Sequence, residues 1–120
     1  MIGIDLIKTS RMQKMMERFG DKALRKFLCS EEILIVKNYR TAAGFWAVKE
    51  ACSKALGVGI GKEFSFDDIV ISKTKKGAPQ IVLSTRVRDS FLIDESSVSI
   101  THDGEYAIAV VVLSTTTNKV

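Results

Sequence analysis

Thr41-Ala42-Ala43-Gly44-Phe45-Trp46-Ala47-Val48-Lys49-Glu50-Ala51-Cys52-Ser53-Lys54-Ala55-Leu56-Gly57-Val58-Gly59-Ile60-Gly61 is the stretch on which the fold turns. From Thr41 to Leu56 it is rich in strong helix formers with apolar residues at helical spacing, and Gly57 is a helix stop. Beyond Gly61 the apolar period shortens to that of strands. Helices before this point and strands after it predict an α+β fold, with N-terminal helices packed on a mostly antiparallel sheet.

Working upstream, Ile2–Ile7 reads as a short strand, and Ser10-Arg11-Met12-Gln13 as a capping box opening a helix that runs to Gly20. The apolar stripe of that helix is Met12, Met15, Met16 and Phe19. Asp21 is expected to cap a second helix through Leu28, and Ser30 a third through about Asn38. Downstream, Ile69–Ser72 and Gln80–Leu83 are strands joined by Lys75-Lys76-Gly77-Ala78. Val87–Leu92 is a candidate short helix. Val98–His102 and Glu105–Leu113 flank Asp103-Gly104, a dipeptide suited to a type I′ turn.

Composition narrows the class. With 120 residues and 46% apolar content, the chain can bury a core as one domain without metals or disulfides. Cys29 and Cys52 fall in segments read as helical and are expected to be free thiols. The N-terminus lacks a secretion-signal pattern, and the longest apolar run, Tyr106–Leu113, is far short of the roughly 20 residues a membrane helix needs. A cytoplasmic protein with no membrane partner is expected.

The net charge of +4 is unevenly placed: Lys8 to Lys26 holds seven basic residues against two acidic ones. Arg11, Lys14, Arg18 and Lys22 recur at three- and four-residue steps beside Met15, with Arg25 beyond. Such a stripe suits an acidic partner or a phosphate-rich ligand; the plainer alternative is a solvated helix face.

On a helical wheel, Val48, Ala51, Cys52, Ala55 and Leu56 form the apolar face of the 41–56 helix. Lys49, Glu50, Ser53 and Lys54 share the opposite arc, with Trp46 inside it. Glu50 and Lys54 could be no more than an exposed ion pair, and Trp46 could pack on a neighbouring element. Asp5, at the end of the first strand in Met1-Ile2-Gly3-Ile4-Asp5 and next to a glycine that allows close approach, alters the balance, because two carboxylates and a lysine are a sufficient protein contribution to a magnesium–phosphate site. His102 is the only histidine and stands on the Val98–Ile100 side of its strand, at a pocket rim or in the core. Gly57, Gly59 and Gly61 follow a helix instead of linking a strand to one, which excludes dinucleotide and P-loop motifs.

Gly3-Ile4-Asp5, Trp46-Ala47-Val48-Lys49-Glu50-Ala51 continuing through Lys54-Ala55-Leu56-Gly57, Gly77-Ala78-Pro79, and Ser99-Ile100-Thr101-His102-Asp103 occur in that order. Together they resemble the signatures of the holo-acyl-carrier-protein synthases, the small trimeric bacterial 4′-phosphopantetheinyl transferases. The resemblance covers the whole chain. It implies the 4′-phosphopantetheinyl transferase fold over residues 1–120 and transfer of phosphopantetheine from coenzyme A to a serine of apo acyl carrier protein. By position, Asp5 and Glu50 match the magnesium-holding carboxylates, Lys54 the lysine facing the phosphates, and Glu50 also the group that helps deprotonate the serine. Gly77, Ala78, Pro79, Ser99, Thr101 and His102 match segments lining the coenzyme A site. Arg11 matches a first-helix arginine that meets the carrier protein, and the rest of the basic stripe is assigned with it. The family forms trimers with active sites between protomers. Family members commonly carry an arginine where this chain has Phe45, so Arg40, Lys49, Lys62 and His102 become candidates for the nucleotide phosphates.

Two other classes compete. A basic nucleic-acid-binding module would use Trp46 as a stacking surface, but one tryptophan and a methionine-rich basic helix fit a protein partner better. A metal-dependent phosphoesterase would use the same two carboxylates.

Overall fold

The computed structural model describes residues 1–116. Strand β1 (Ile2–Lys8) passes directly into helix α1 (Thr9–Phe19), followed by the short helices α2 (Asp21–Arg25) and α3 (Ser30–Ile33) and by the long helix α4 (Tyr39–Leu56). A 3₁₀ turn, Phe66–Asp68, leads into the hairpin of β2 (Ile69–Lys73) and β3 (Pro79–Leu83). Helix α5 (Thr85–Phe91) precedes the second hairpin, β4 (Ile93–Asp103) and β5 (Tyr106–Thr115). The strands form two antiparallel sheets, one in the order β1-β5-β4 and the other the β2–β3 hairpin alone. The α+β expectation holds.

Helix α4 is the centre of the core. Asn38 caps it, its Oδ1 accepting from the amides of Arg40 and Thr41 at 2.9 and 3.1 Å. Gly57 ends it in the left-handed region at φ 75°. The helix lies across the inner face of the three-stranded sheet, where Gly3 permits an unusually close crossing. A Cβ on Gly3 would stand 1.9 Å from the Ala51 carbonyl oxygen and 2.6 Å from the Ala55 nitrogen. Only glycine allows β1 to rest there.

Strand register separates the sheet into two faces. Inward toward α4 point Gly3, Asp5 and Ile7, then Ala107, Ala109 and Val111, then Val98, Ile100 and His102. Outward point Ile2, Ile4 and Leu6, then Ile108, Val110 and Val112, then Ser97, Ser99 and Thr101. The outer apolar residues lie open: Ile2 is 69% exposed, Ile4 58% and Leu6 55%.

Local signals misled at several places. The Ser10 capping box does not form, because α1 starts at Thr9, whose amide and hydroxyl both donate to the Glu105 carbonyl. The strand ladder, not a side-chain cap, sets where this helix begins. The second and third helices are shorter than expected: Gly20 at φ 58° precedes α2, and α2 ends at Arg25. Cys29, not Ser30, occupies the N-cap of α3, and Asn38 starts a helix instead of ending one. Cys29 therefore lies outside the helices; it and the buried Cys52 are both free thiols. Helix α5 begins earlier than Val87, capped by Ser84. The tight turn is Gly104-Glu105, one residue later than expected. Only Gly104 has positive φ there, the pattern of a II′ turn and not of a I′ turn.

Candidate active site

Two clusters of side chains are built on α4. The first lies at its C-terminal half. The close crossing at Gly3 places Asp5, two residues along the same strand face, beside the helix. There Lys54 Nζ donates to Asp5 Oδ1 at 2.9 Å and to the Ile4 carbonyl at 3.1 Å. Lys54 is thus engaged by another element and not by Glu50, so the exposed Glu50–Lys54 pair is replaced by a contact across 49 residues of sequence. Glu50 is half-buried beside them. Burial pushes its carboxyl above the ordinary value, and the negative charge of Asp5 pushes it further, against the pull of Lys54.

With Asp5 opposing the ionisation of Glu50, the two carboxylates form a donor set for a divalent cation, which would reverse that repulsion. Among the described residues no third histidine, cysteine or carboxylate joins them. That suits magnesium, which retains waters and takes phosphate oxygens for its remaining positions.

The second cluster is a cavity of about 180 Å³ at the N-terminal half of α4. Thr41, Gly44 and Phe45 come from the helix, Lys73, Gly77 and Pro79 from the β2–β3 hairpin, and Ile100 and His102 from β4. Gly44 makes room: a Cβ there would lie 3.2 Å from Ile100 Cγ2 and 3.3 Å from His102 Nε2. His102 Nε2 is 3.0 Å from the Arg40 carbonyl. A carbonyl only accepts, so Nε2 carries the hydrogen, and in the neutral ring Nδ1 remains an acceptor.

The structure therefore brings together Asp5, Glu50 and Lys54 in one place, and Gly77, Pro79 and His102 in another. It does not gather the remaining candidates there. Ser99 and Thr101 are exposed on the outer face of the sheet. Ala78 is exposed in the hairpin turn, its amide donating to Thr74 Oγ1. Lys62 is exposed, its carbonyl accepting from Arg86. The wheel placed Lys49 on a polar, accessible arc; it is in fact 1% exposed, with its ammonium 2.9 Å from Glu32 Oε1. An ammonium enclosed in this way cannot reach a ligand, and its assignment to coenzyme A is withdrawn. Trp46 is also engaged, edge-on to Phe27 at 5.1 Å and tilted against Phe66 at 5.3 Å, which removes it as a stacking platform. Thr41, Gly44, Lys73 and Ile100 were missed. A glycine inside a strong helix one turn after Thr41 was the available signal.

Of the basic stripe, Arg11, Lys14 and Arg18 are exposed on α1 with Met15 half-buried between them, while Lys22 and Arg25 ride on α2. Phe19 joins the two helices, with Arg18 and Lys26 over its ring at 5.2 and 5.4 Å.

Residues 1–111 match the family described as the 4′-phosphopantetheinyl transferase superfamily. The chain is 60% identical over 121 residues to a holo-[acyl-carrier-protein] synthase of Sulfurimonas denitrificans, covering 100% of both. The crystal structure of Helicobacter pylori holo-[acyl-carrier-protein] synthase in complex with coenzyme A superposes with a TM-score of 0.91 at 53% identity, over 95% of this chain and 100% of that one. The Neisseria meningitidis holo-[acyl-carrier-protein] synthase does so with 0.85 at 27% identity, over 94% and 96%. With the family match over residues 1–111, and with length, overall sequence and fold shared with these proteins, the chain belongs to the 4′-phosphopantetheinyl transferase superfamily.

Proposed function

We propose that this protein is a cytoplasmic single-domain holo-[acyl-carrier-protein] synthase. It transfers the 4′-phosphopantetheine arm of coenzyme A to a serine of apo acyl carrier protein and releases 3′,5′-ADP. The observation that carries this reading is the convergence of Asp5, Glu50 and Lys54 from two elements far apart in sequence.

The serine oxygen bonds to the β-phosphorus as the bridging bond to the 3′,5′-ADP group breaks, so the protein must accept one proton and neutralise charge on the departing phosphates. Glu50 takes the proton, directly or through water. Lys54 faces the phosphates. Magnesium held by Asp5 and Glu50 would supply further charge neutralisation on the pyrophosphate. The Thr41–His102 cavity receives the nucleotide end, with Gly77 and Pro79 as its hairpin wall and Lys73 supplying a cation beside Phe45. The α1–α2 surface carrying Arg11, Lys14, Met15, Arg18, Lys22 and Arg25 docks the acidic carrier protein.

The assembly proposed is a homotrimer, and the two clusters support sites shared between its copies. The sheet-facing line of α4 runs through Gly44, Ala51 and Ala55. Thr41 and Phe45 lie on one flank of it and Glu50 and Lys54 on the other, with Thr41 and Glu50 also about 13 Å apart along the axis. One coenzyme A cannot contact both flanks of one helix, but it can lie between the carboxylate flank of one copy and the cavity flank of the next. The open outer sheet face of Ile2, Ile4, Leu6 and Val112 provides the apolar surface for such an assembly.

The test is intact mass. Incubation with coenzyme A, magnesium and apo carrier protein should add one phosphopantetheine to the carrier. Cleavage of coenzyme A without transfer would establish the phosphoesterase reading instead, and no change in either species would overturn both.

A further inference from the structure

The β2–β3 hairpin forms one wall of the nucleotide cavity, yet it shares no strand ladder with the three-stranded sheet. Its placement beside β4, α3 and α4 must come from other contacts, and one of these runs through a buried ion pair between α3 and α4. Glu32 is 0% exposed and Lys49 1%. Glu32 Oε1 accepts from Lys49 Nζ and from the Cys29 amide, both at 2.9 Å, while Oε2 accepts from the Ile71 amide of β2 at 2.8 Å. Lys49 Nζ also donates to the Phe66 carbonyl at 2.9 Å. Phe66 in turn packs on Trp46 of α4 and on Phe27.

We propose that Lys49 and Glu32 are positioning residues for the coenzyme A site: their pair clamps the β2–β3 hairpin onto α4 and sets the distance between Lys73–Pro79 and the Thr41–His102 side of the cavity. The register explains why a carboxylate is needed. Ile71 faces Ile81 across the hairpin, and its amide turns to the free edge, where a carboxylate oxygen meets it. One oxygen thus holds β2 while the other holds the helix lysine, so hairpin and helix share one rigid group. Apolar packing of Ile69, Ile71, Ile81 and Leu83 would bury the hairpin without fixing its height on the helix. The functional part of this proposal rests on the transferase reading above.

The first measurement is independent of that reading. In the unliganded protein, Lys49→Met should accelerate amide hydrogen exchange selectively in residues 69–83, leaving β1, β5 and the centre of α4 protected. The second uses the double variant Lys49→Met with Glu32→Gln. No buried charge is then left unpaired, so Tm should return toward the wild-type value. Glutamine offers one acceptor oxygen where Glu32 offers two, so the hairpin stays loose. KM for coenzyme A should remain about tenfold raised with kcat little changed. A merely structural pair predicts instead that Tm and KM recover together. That recovery, or exchange that rises uniformly over the molecule or not at all, would overturn the proposal. If the chain proves not to use coenzyme A, the exchange measurement still decides whether the clamp exists, so the two failures are distinct.

Discussion

At the scale of single residues, the proposed chemistry rests on three side chains, of which Asp5 and Lys54 act in opposite directions on the charge of Glu50. Asp5→Ala and Glu50→Ala should each remove nearly all transfer while leaving circular dichroism and Tm close to wild type, because neither side chain fills the core; unfolding would reveal a structural role. The raised proton affinity of Glu50 has a thermodynamic consequence with a definite sign. The folded protein keeps this proton to higher pH than the unfolded chain, which releases it near 4.5. Stability therefore falls as pH rises through the window above 4.5, and this slope should be missing in Glu50→Gln and reduced by magnesium. Denaturant titrations across that range check it. Lys54→Ala should lower kcat more than it raises KM for coenzyme A, since a cation facing charge that grows during transfer acts on the transition state. An unchanged kcat would reduce Lys54 to an ion-pair partner. Asp5, Glu50 and Lys54 could be grouped only through the family resemblance: their residue types suit phosphate chemistry, but a wheel cannot bring Asp5 to Lys54 across 49 residues of sequence. Lys49 was misread for a physical reason: the wheel assigns a lysine to solvent, and its burial is made tolerable by Glu32 and the Phe66 carbonyl, each 17 residues away in sequence.

At the scale of elements, what could be read depended on whether a segment's own sequence determined it. Helix α4 carries its own propensity and its Gly57 stop, although its Asn38 cap was read as the end of the preceding helix, and both hairpins announced themselves by period, although the second turn falls one residue later than expected. Helices α2 and α3 are too short to be stable alone and exist through packing, so cap signals overextended them. Gly3 was readable as a point of close approach, but a glycine in a strand does not announce what will press against it, so the crossing with α4 was not. Gly3→Ala should consequently be severe. Its methyl would overlap the Ala51 carbonyl, and the resulting separation of β1 from α4 should cost about 3 kcal/mol or more and draw Asp5 away from Lys54. A chemical-denaturation midpoint equal to wild type would contradict the crossing. On α1, Arg11→Glu with Arg18→Glu should raise KM for the carrier protein and weaken its salt dependence without affecting coenzyme A binding. A wild-type KM at low ionic strength would place the docking surface elsewhere.

At the scale of the whole molecule, the division of the two clusters between the flanks of α4 can be tested by mixing. Glu50→Ala lacks the carboxylate flank and His102→Ala weakens the cavity flank, so each alone should be impaired. Copies of the two, dissociated and reassembled together, should regain activity, because some sites then combine an intact flank from each. Sites contained within one chain would show no recovery. Charge placed on the outer sheet, as in Ile4→Asp, should shift the protein to monomers by sedimentation and abolish activity with them.

The opposed flanks of α4 also bear on how the protein responds to its own concentration. A chain that carries two halves of different sites has no complete site when solitary, so turnover per chain should decline on dilution below the assembly constant. In the proposed assembly coenzyme A spans two copies, and linkage then requires that it tighten assembly by the same factor by which assembly tightens its own binding. The supply of substrate would then govern how much enzyme exists as well as how fast it runs.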